Sequence, residues 1–195
     1  MKSLILKEIR TFFSSLTGYV VISAFLLLMG LFLWVFPGPW NILSSGVASM
    51  DPFFTLAPWV MLFLVPAITM RSFAEERRNG TLELLLTRPL LEGQVIFAKF
   101  LGALALISLS LVPTLGFVYI LGVLGSPVWN LDLGAIWGSY IGLLLLSSSI
   151  AAIGIFLSAS TSQPLVAFLA AMLLSTVGYI GFTALGDFAI LGNWD

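Results

Sequence analysis

Apolar residues in this chain come in long, nearly unbroken runs, not at the two-residue or three-to-four-residue spacing of half-buried strands and helices. Five such runs, divided by polar residues, Pro or Gly, cover residues 16–36, 53–69, 95–124, 133–157 and 165–185. Each approaches or exceeds the length a helix needs to cross a hydrocarbon core of roughly 30 Å. In lipid a spanning segment must satisfy its own backbone groups, so apolar runs of this length predict helices. The predicted fold is all-α, a polytopic transmembrane helical bundle of five spans forming a single transmembrane domain over residues 1–195. The third run is overlong, at about 45 Å of helix. Lys99 is therefore expected to snorkel towards the surface, and Pro113 to kink the helix. Pro58 and Pro66 are expected to make the short second run irregular.

All eight Lys and Arg residues fall within residues 2–10 and 71–99. The positive-inside rule places both groups, and with them the N-terminus, in the cytoplasm. Two spans lie between the groups, so the parity agrees with the span count. The loops 37–52 and 125–132 then lie outside, where their only charges are Asp51 and Asp132. Trp34, Trp40, Trp59, Trp129, Trp137 and Trp194 map near that outer side, as interfacial tryptophans should. An odd number of spans leaves the C-terminal end outside, so this is either a five-span chain or one lacking a last returning helix. Before the first span, Leu4, Ile5, Ile9, Phe12 and Phe13 recur at helical spacing, with Lys2, Lys7 and Arg10 available for the polar side. That pattern fits a short helix in the inner interface and equally a positive flank that sets topology.

Composition sharpens the picture by exclusion. Of 195 residues, 59% are hydrophobic and 9% charged, far below the roughly 25% charged fraction of a soluble domain. A net charge of −1 argues against a nucleic-acid partner. The absence of Cys and His removes disulfides, thiolate metal sites and the usual proton shuttle. No protease dyad, HExxH zinc site or GxxxxGK[ST] phosphate loop can be assembled, so no catalytic, cofactor-binding or metal site is expected. With Lys99 expected at the surface, the span interiors are expected to carry none of the Asp, Glu, His, Lys or Arg residues that bind a driving ion or relay its proton, which argues against an ion-coupled carrier. The first run is too long for a secretory signal and no small-residue cleavage pattern follows it.

The fourth span opens with Gly134, Gly138 and Gly142 at four-residue spacing, with Gly154 and Ser158 further along roughly the same stripe. Small residues at this interval let helices approach closely. Packing within the chain is the main expectation, and a seam between two subunits the alternative.

Residues 71–89 are the richest part of the sequence. Asn79-Gly80 reads as a turn, and Thr81 can N-cap a short helix that ends before Pro89, with Glu83 near its positive pole. Leu82, Leu84, Leu85 and Leu86 make that helix too apolar to meet only water. Glu75, Glu76, Arg77 and Arg78 alone would read as a solvated, topology-setting run. Joined to the turn and the leucine-rich helix, they read as a docking element.

The run Phe73-Ala-Glu-Glu-Arg-Arg-Asn-Gly-Thr-Leu-Glu-Leu-Leu-Leu-Thr-Arg-Pro89, followed by Gln94 and Lys99, resembles the signature of ABC-2 family exporter permeases. The Lys-Glu pair near the N-terminus, Gly18-Tyr19, Asp51-Pro-Phe-Phe and Ala57-Pro-Trp59 are similar to the gliding-motility-associated permease subunits within that family. The resemblance implies a membrane permease, usually of six spans, in a bacterial inner membrane. It implies that the segment 71–94 is the coupling segment, with Glu75, Glu76, Arg77, Arg78, Gly80, Thr81, Glu83, Leu85 and Pro89 meeting a cytoplasmic ABC ATPase. The partners it implies are ATPase subunits that bind the ATP, a second permease subunit forming a homo- or heterodimer, and membrane lipid. A membrane scaffold of a motility or secretion machine, docking some other protein through the same segment, is the alternative from another class.

Overall fold

The computed structural model describes residues 2–81 and 92–187. Among them the chain is helical apart from turns and short loops, with five helices long and apolar enough to cross a membrane. The all-α polytopic bundle expected from the apolar runs is therefore what the chain forms. Helix α1 (Lys2–Ser14) bends at Ser15 into α2 (Leu16–Gly30), which ends in a wider π turn, Leu31–Val35. A short α3 (Ile42–Ser45) leads to α4 (Asp51–Thr69) and, after a turn, to α5 (Ala74–Arg78). The third span is α6 (Glu92–Leu111), a 3-10 turn (Val112–Thr114) and α7 (Leu115–Leu124). Helices α8 (Leu133–Ser160) and α9 (Pro164–Asp187) complete the described chain.

Helix α4 is the centre of the bundle and touches α2, α6, α8 and α9. Its span is 56% buried, against 22% for the first span and 17% for the fifth, which lie at the edges. Phe53, Ala57, Met61, Leu62 and Val65 of α4 are buried in one core with Met29 of α2, Leu33 of the π turn, Ile107 of α6 and Ile150 and Ala151 of α8. The outward faces carry bare apolar side chains such as Leu27, Phe63, Leu173 and Phe182. A helix bundle that hides part of its apolar surface and displays the rest matches a lipid solvent.

The two prolines expected to disturb the second span do not break it, since α4 runs uninterrupted through Pro58 and Pro66. Tight packing on four sides keeps the helix whole where each proline removes one backbone donor. Pro113 does interrupt its span, through the 3-10 turn. Two buried hydroxyls bond within their own helices: Ser110 Oγ donates to the Ile107 carbonyl at 2.7 Å and Ser147 Oγ to the Leu143 carbonyl at 2.7 Å.

The glycine stripe behaves differently from expectation. Gly138 and Gly142 lie on an exposed face of α8, and no described atom comes within 4 Å of where a Cβ would sit. Gly134 is also exposed and meets only the Asp132 side chain that caps the helix. The packing inside the chain that we expected of these three glycines is not made by the described residues. Gly154 and Ser158 do not share that stripe, because twelve residues from Gly142 advance the helix about 120° beyond whole turns. They are buried against α4, where a Cβ on Gly154 would overlap the Thr69 side chain. A second close-packing set, which the sequence reading missed, is Ala167, Ala171 and Ser175 on α9, all buried at four-residue spacing.

Candidate functional site

The two ends of the bundle differ in chemistry. One end collects rings: Phe53 and Phe54 from the start of α4 meet Tyr140 of α8 at 5.7 and 5.1 Å between centroids, and Phe117 meets both Phe53 and Trp34. The other end holds the Lys and Arg residues of α1, α5 and α6, and the sequence-predicted site lies there.

Helix α4 ends at Thr69, and the chain turns through Met70–Phe73 into α5, a helix of five residues. So short a helix cannot persist by backbone bonding alone, and both of its ends are tied down. At the start, Ser158 Oγ of α8 accepts hydrogen bonds from the Phe73 and Ala74 backbone N–H groups at 3.0 and 3.1 Å. The same hydroxyl donates to the Met70 carbonyl at 3.0 Å. Ser158 thus does for α5 what an N-cap side chain normally does from within. At the finish, Gly80 N–H donates to the Arg77 carbonyl at 3.3 Å and Thr81 N–H to the Glu76 carbonyl at 3.0 Å. With Gly80 at φ +67°, this is a Schellman closure, and glycine is there because the left-handed backbone disfavours any Cβ. The Asn79-Gly80 turn read from the sequence is present. The Thr81 hydroxyl donates back to the Glu76 carbonyl at 3.2 Å. The helix that Thr81 was expected to start, with Glu83, Leu85 and Pro89, lies outside the described residues.

The four charges of α5 part company. Arg77 Nη1 donates to the Ala159 carbonyl at 3.0 Å, placing a cation at the negative end of α8. Arg78 is exposed, while Glu75 is half-buried. Glu76 turns inward, where its Oε2 faces Lys99 Nζ at 3.1 Å as an ion pair and its Oε1 meets Lys7 Nζ at 3.5 Å.

Lys99 does not snorkel. Its side chain is 2% exposed, and its ammonium group pairs with Glu8 Oε1 of α1 at 3.0 Å as well as with Glu76. It also donates to the Ser72 carbonyl, and the Phe73 ring centroid lies 4.8 Å from Nζ. Breaking one arm of a buried cluster like this leaves a charge without compensation and costs about 3–5 kcal/mol. Nearby, Arg71 Nη1 donates to Ser15 Oγ at 3.4 Å, at the bend between α1 and α2. A cavity of about 470 Å³ opens between these elements, with Arg71, Ser15 and Glu75 on its polar side and Phe12, Ile68 and Leu106 on its apolar side.

The residues that build this site in roles the sequence did not suggest are Glu8, Ser15 and Ser158, the last read only as part of a packing stripe. Each acts on a partner more than fifty positions away, and no local pattern marks such a pairing. Lys99 carried a signal, as the one cation within the apolar runs, and its meaning depended on whether it reached the surface.

An all-α bundle with five membrane-length helices and a charged end held by hydrogen bonds and ion pairs defines a polytopic membrane protein, in which these side chains fix helices to one another. The sequence pattern described as ABC-2 family transporter protein matches residues 3–192, and the chain belongs to that family. It is therefore a membrane permease of an ABC transporter, and subunits of this kind are generally non-catalytic and work with a cytoplasmic ABC ATPase. No curated protein and no solved structure matches the chain.

Proposed function

We propose that the charged end of the bundle is the ATPase-coupling face of an exporter in a bacterial inner membrane. Helix α5 and the leucine-rich segment that follows it would dock on the cytoplasmic ATPase, which binds and hydrolyses the ATP. The observation that carries this reading is the anchoring of α5. Ser158 and Arg77 join it to the end of α8, the Met70–Phe73 turn joins it to α4, and Glu76 joins it to α6. A push on so short and so firmly tied a helix is delivered to three spans at once, as a coupling element requires. The spans can then do without ion-binding carboxylates, because a partner supplies the work.

The exposed stripe of Gly134, Gly138 and Gly142 is our proposed seam with a second permease subunit, since glycines facing open space let another helix approach. A link to gliding motility rests on the resemblance of Gly18-Tyr19, Asp51-Pro-Phe-Phe and Ala57-Pro-Trp59 alone.

The test is affinity purification of the detergent-solubilised protein from its native membrane, with mass spectrometry of what accompanies it, repeated with Leu85→Asp. An ABC ATPase that is recovered with the wild type and lost with the variant supports the coupling face. Recovery of a non-ATPase partner through the same segment overturns it in favour of the scaffold.

A further inference from the structure

An ammonium group inside an apolar span is costly, and such groups are kept where a neutral side chain would not serve. Lys99 lies six residues beyond the start of the span Gly93–Leu124 and is 2% exposed, so a reach to the surface does not account for it. Its acceptors come from separate parts of the chain: Glu8 on α1, Glu76 on α5 and the Ser72 carbonyl between α4 and α5. Two carboxylates on one ammonium leave a negative charge over, and Lys7 of α1 offsets it from 3.5 Å. The cluster is neutral as a whole.

Helix packing does not join α5 to α1 or to α6 as closely as the cluster does. Helix α1 packs on α2 and α6, whereas α5 packs on α8 and α9. Lys99 stands between these two sets of helices. We propose that Lys99 is a positioning residue, the centre of a buried charge lock that makes α1 and the third span follow α5. The lock deepens the permease reading and rests on it, because it names the route by which a load on α5 reaches the N-terminal helix. Ion pairs suit this task, since Coulomb attraction persists over a few ångströms of displacement and draws the charges back together, while apolar contacts slide.

The chain has no Cys, so two introduced cysteines can be spin-labelled without background. Leu6→Cys on α1 and Arg78→Cys on α5 are both exposed positions, one on each side of the lock. In lipid nanodiscs holding the permease, the wild-type distance distribution between these labels should be narrow. Lys99→Met should broaden it at least twofold, and Glu8→Gln should do the same while leaving Lys99 paired with Glu76, so that a folded variant is available in either case. Arg10→Met, which removes a charge from α1 outside the cluster, should leave the distribution unchanged. Equal widths in wild type, Lys99→Met and Glu8→Gln would overturn the lock.

This readout needs no ATPase, so its failure is separate from failure of the coupling reading. In the assembled complex, labels at Leu43→Cys and Leu133→Cys at the aromatic end should shift on ATP addition. The shift should fall at least threefold in Lys99→Met with the ATPase still bound, and a full shift in that variant would also overturn the proposal.

Discussion

The aromatic end and the charged end of this bundle are held together by different physics. At the aromatic end Phe53, Phe54, Phe117, Trp34 and Tyr140 fit by shape, and the Tyr140–Thr114 hydroxyl pair at 3.0 Å is a polar contact among them. Such contacts have no fixed direction and weaken gradually as groups move. At the charged end a few directional bonds from Ser158, Arg77, Glu76 and Lys99 carry the attachment of α5. Hydrogen bonds weaken steeply with misalignment, so they fix the geometry of this end more narrowly than ring packing fixes the other. That asymmetry suits the proposed coupling, in which the aromatic end would be a pivot and the charged end a handle.

Substitutions can break each end separately. The largest effect is expected at the pivot, where Phe53→Ala would empty a fully enclosed site and should cost about 3–5 kcal/mol in detergent unfolding, without altering capture of the ATPase. A loss of capture by this variant would mean that the two ends are not independent. Next comes the α4–α8 contact beside the charged end: Gly154→Ala would drive a methyl into the Thr69 side chain, costing about 1–3 kcal/mol. Thr69→Ala in the same chain should restore the unfolding midpoint, and failure to do so would place the strain elsewhere.

At the handle, Ser158→Ala removes the cap from α5 and should cost about 1–2 kcal/mol. Unlike Phe53→Ala, it should reduce ATP-driven motion more than stability, measured as the label shift at the aromatic end relative to the unfolding midpoint. The smallest effect on the fold is expected from Gly138→Leu, which meets open space. Its unfolding should match wild type while cross-linking between permease subunits falls, and unchanged cross-linking would remove α8 from the seam.

The sequence made the bundle legible because lipid tolerates only a few solutions: apolar runs of span length become helices whatever their neighbours. The same simplicity hid which face of each helix is inside. A span apolar all round has no polar stripe to orient it, so Gly138 and Gly154 looked equivalent although one faces out and the other meets Thr69. Pro58 and Pro66 misled for a related reason, since the integrity of α4 comes from its neighbours. The site was half legible. Asn79-Gly80 announces its turn locally, through a backbone that only glycine enters easily. The Ser158 cap and the Glu8–Lys99 pair are contacts across 84 and 91 positions, which no spacing rule encodes.

The central claim is that the charged end, and not the aromatic end, meets the ATPase. In the cysteine-free chain, a photo-activated cross-linker placed at Arg78→Cys on α5 tests it against the same reagent at Val128→Cys, 65% exposed beside the aromatic end. The account predicts a cross-link to an ABC ATPase from Arg78→Cys and none from Val128→Cys. Cross-linking from Val128→Cys, or from neither position while the ATPase co-purifies, would contradict it.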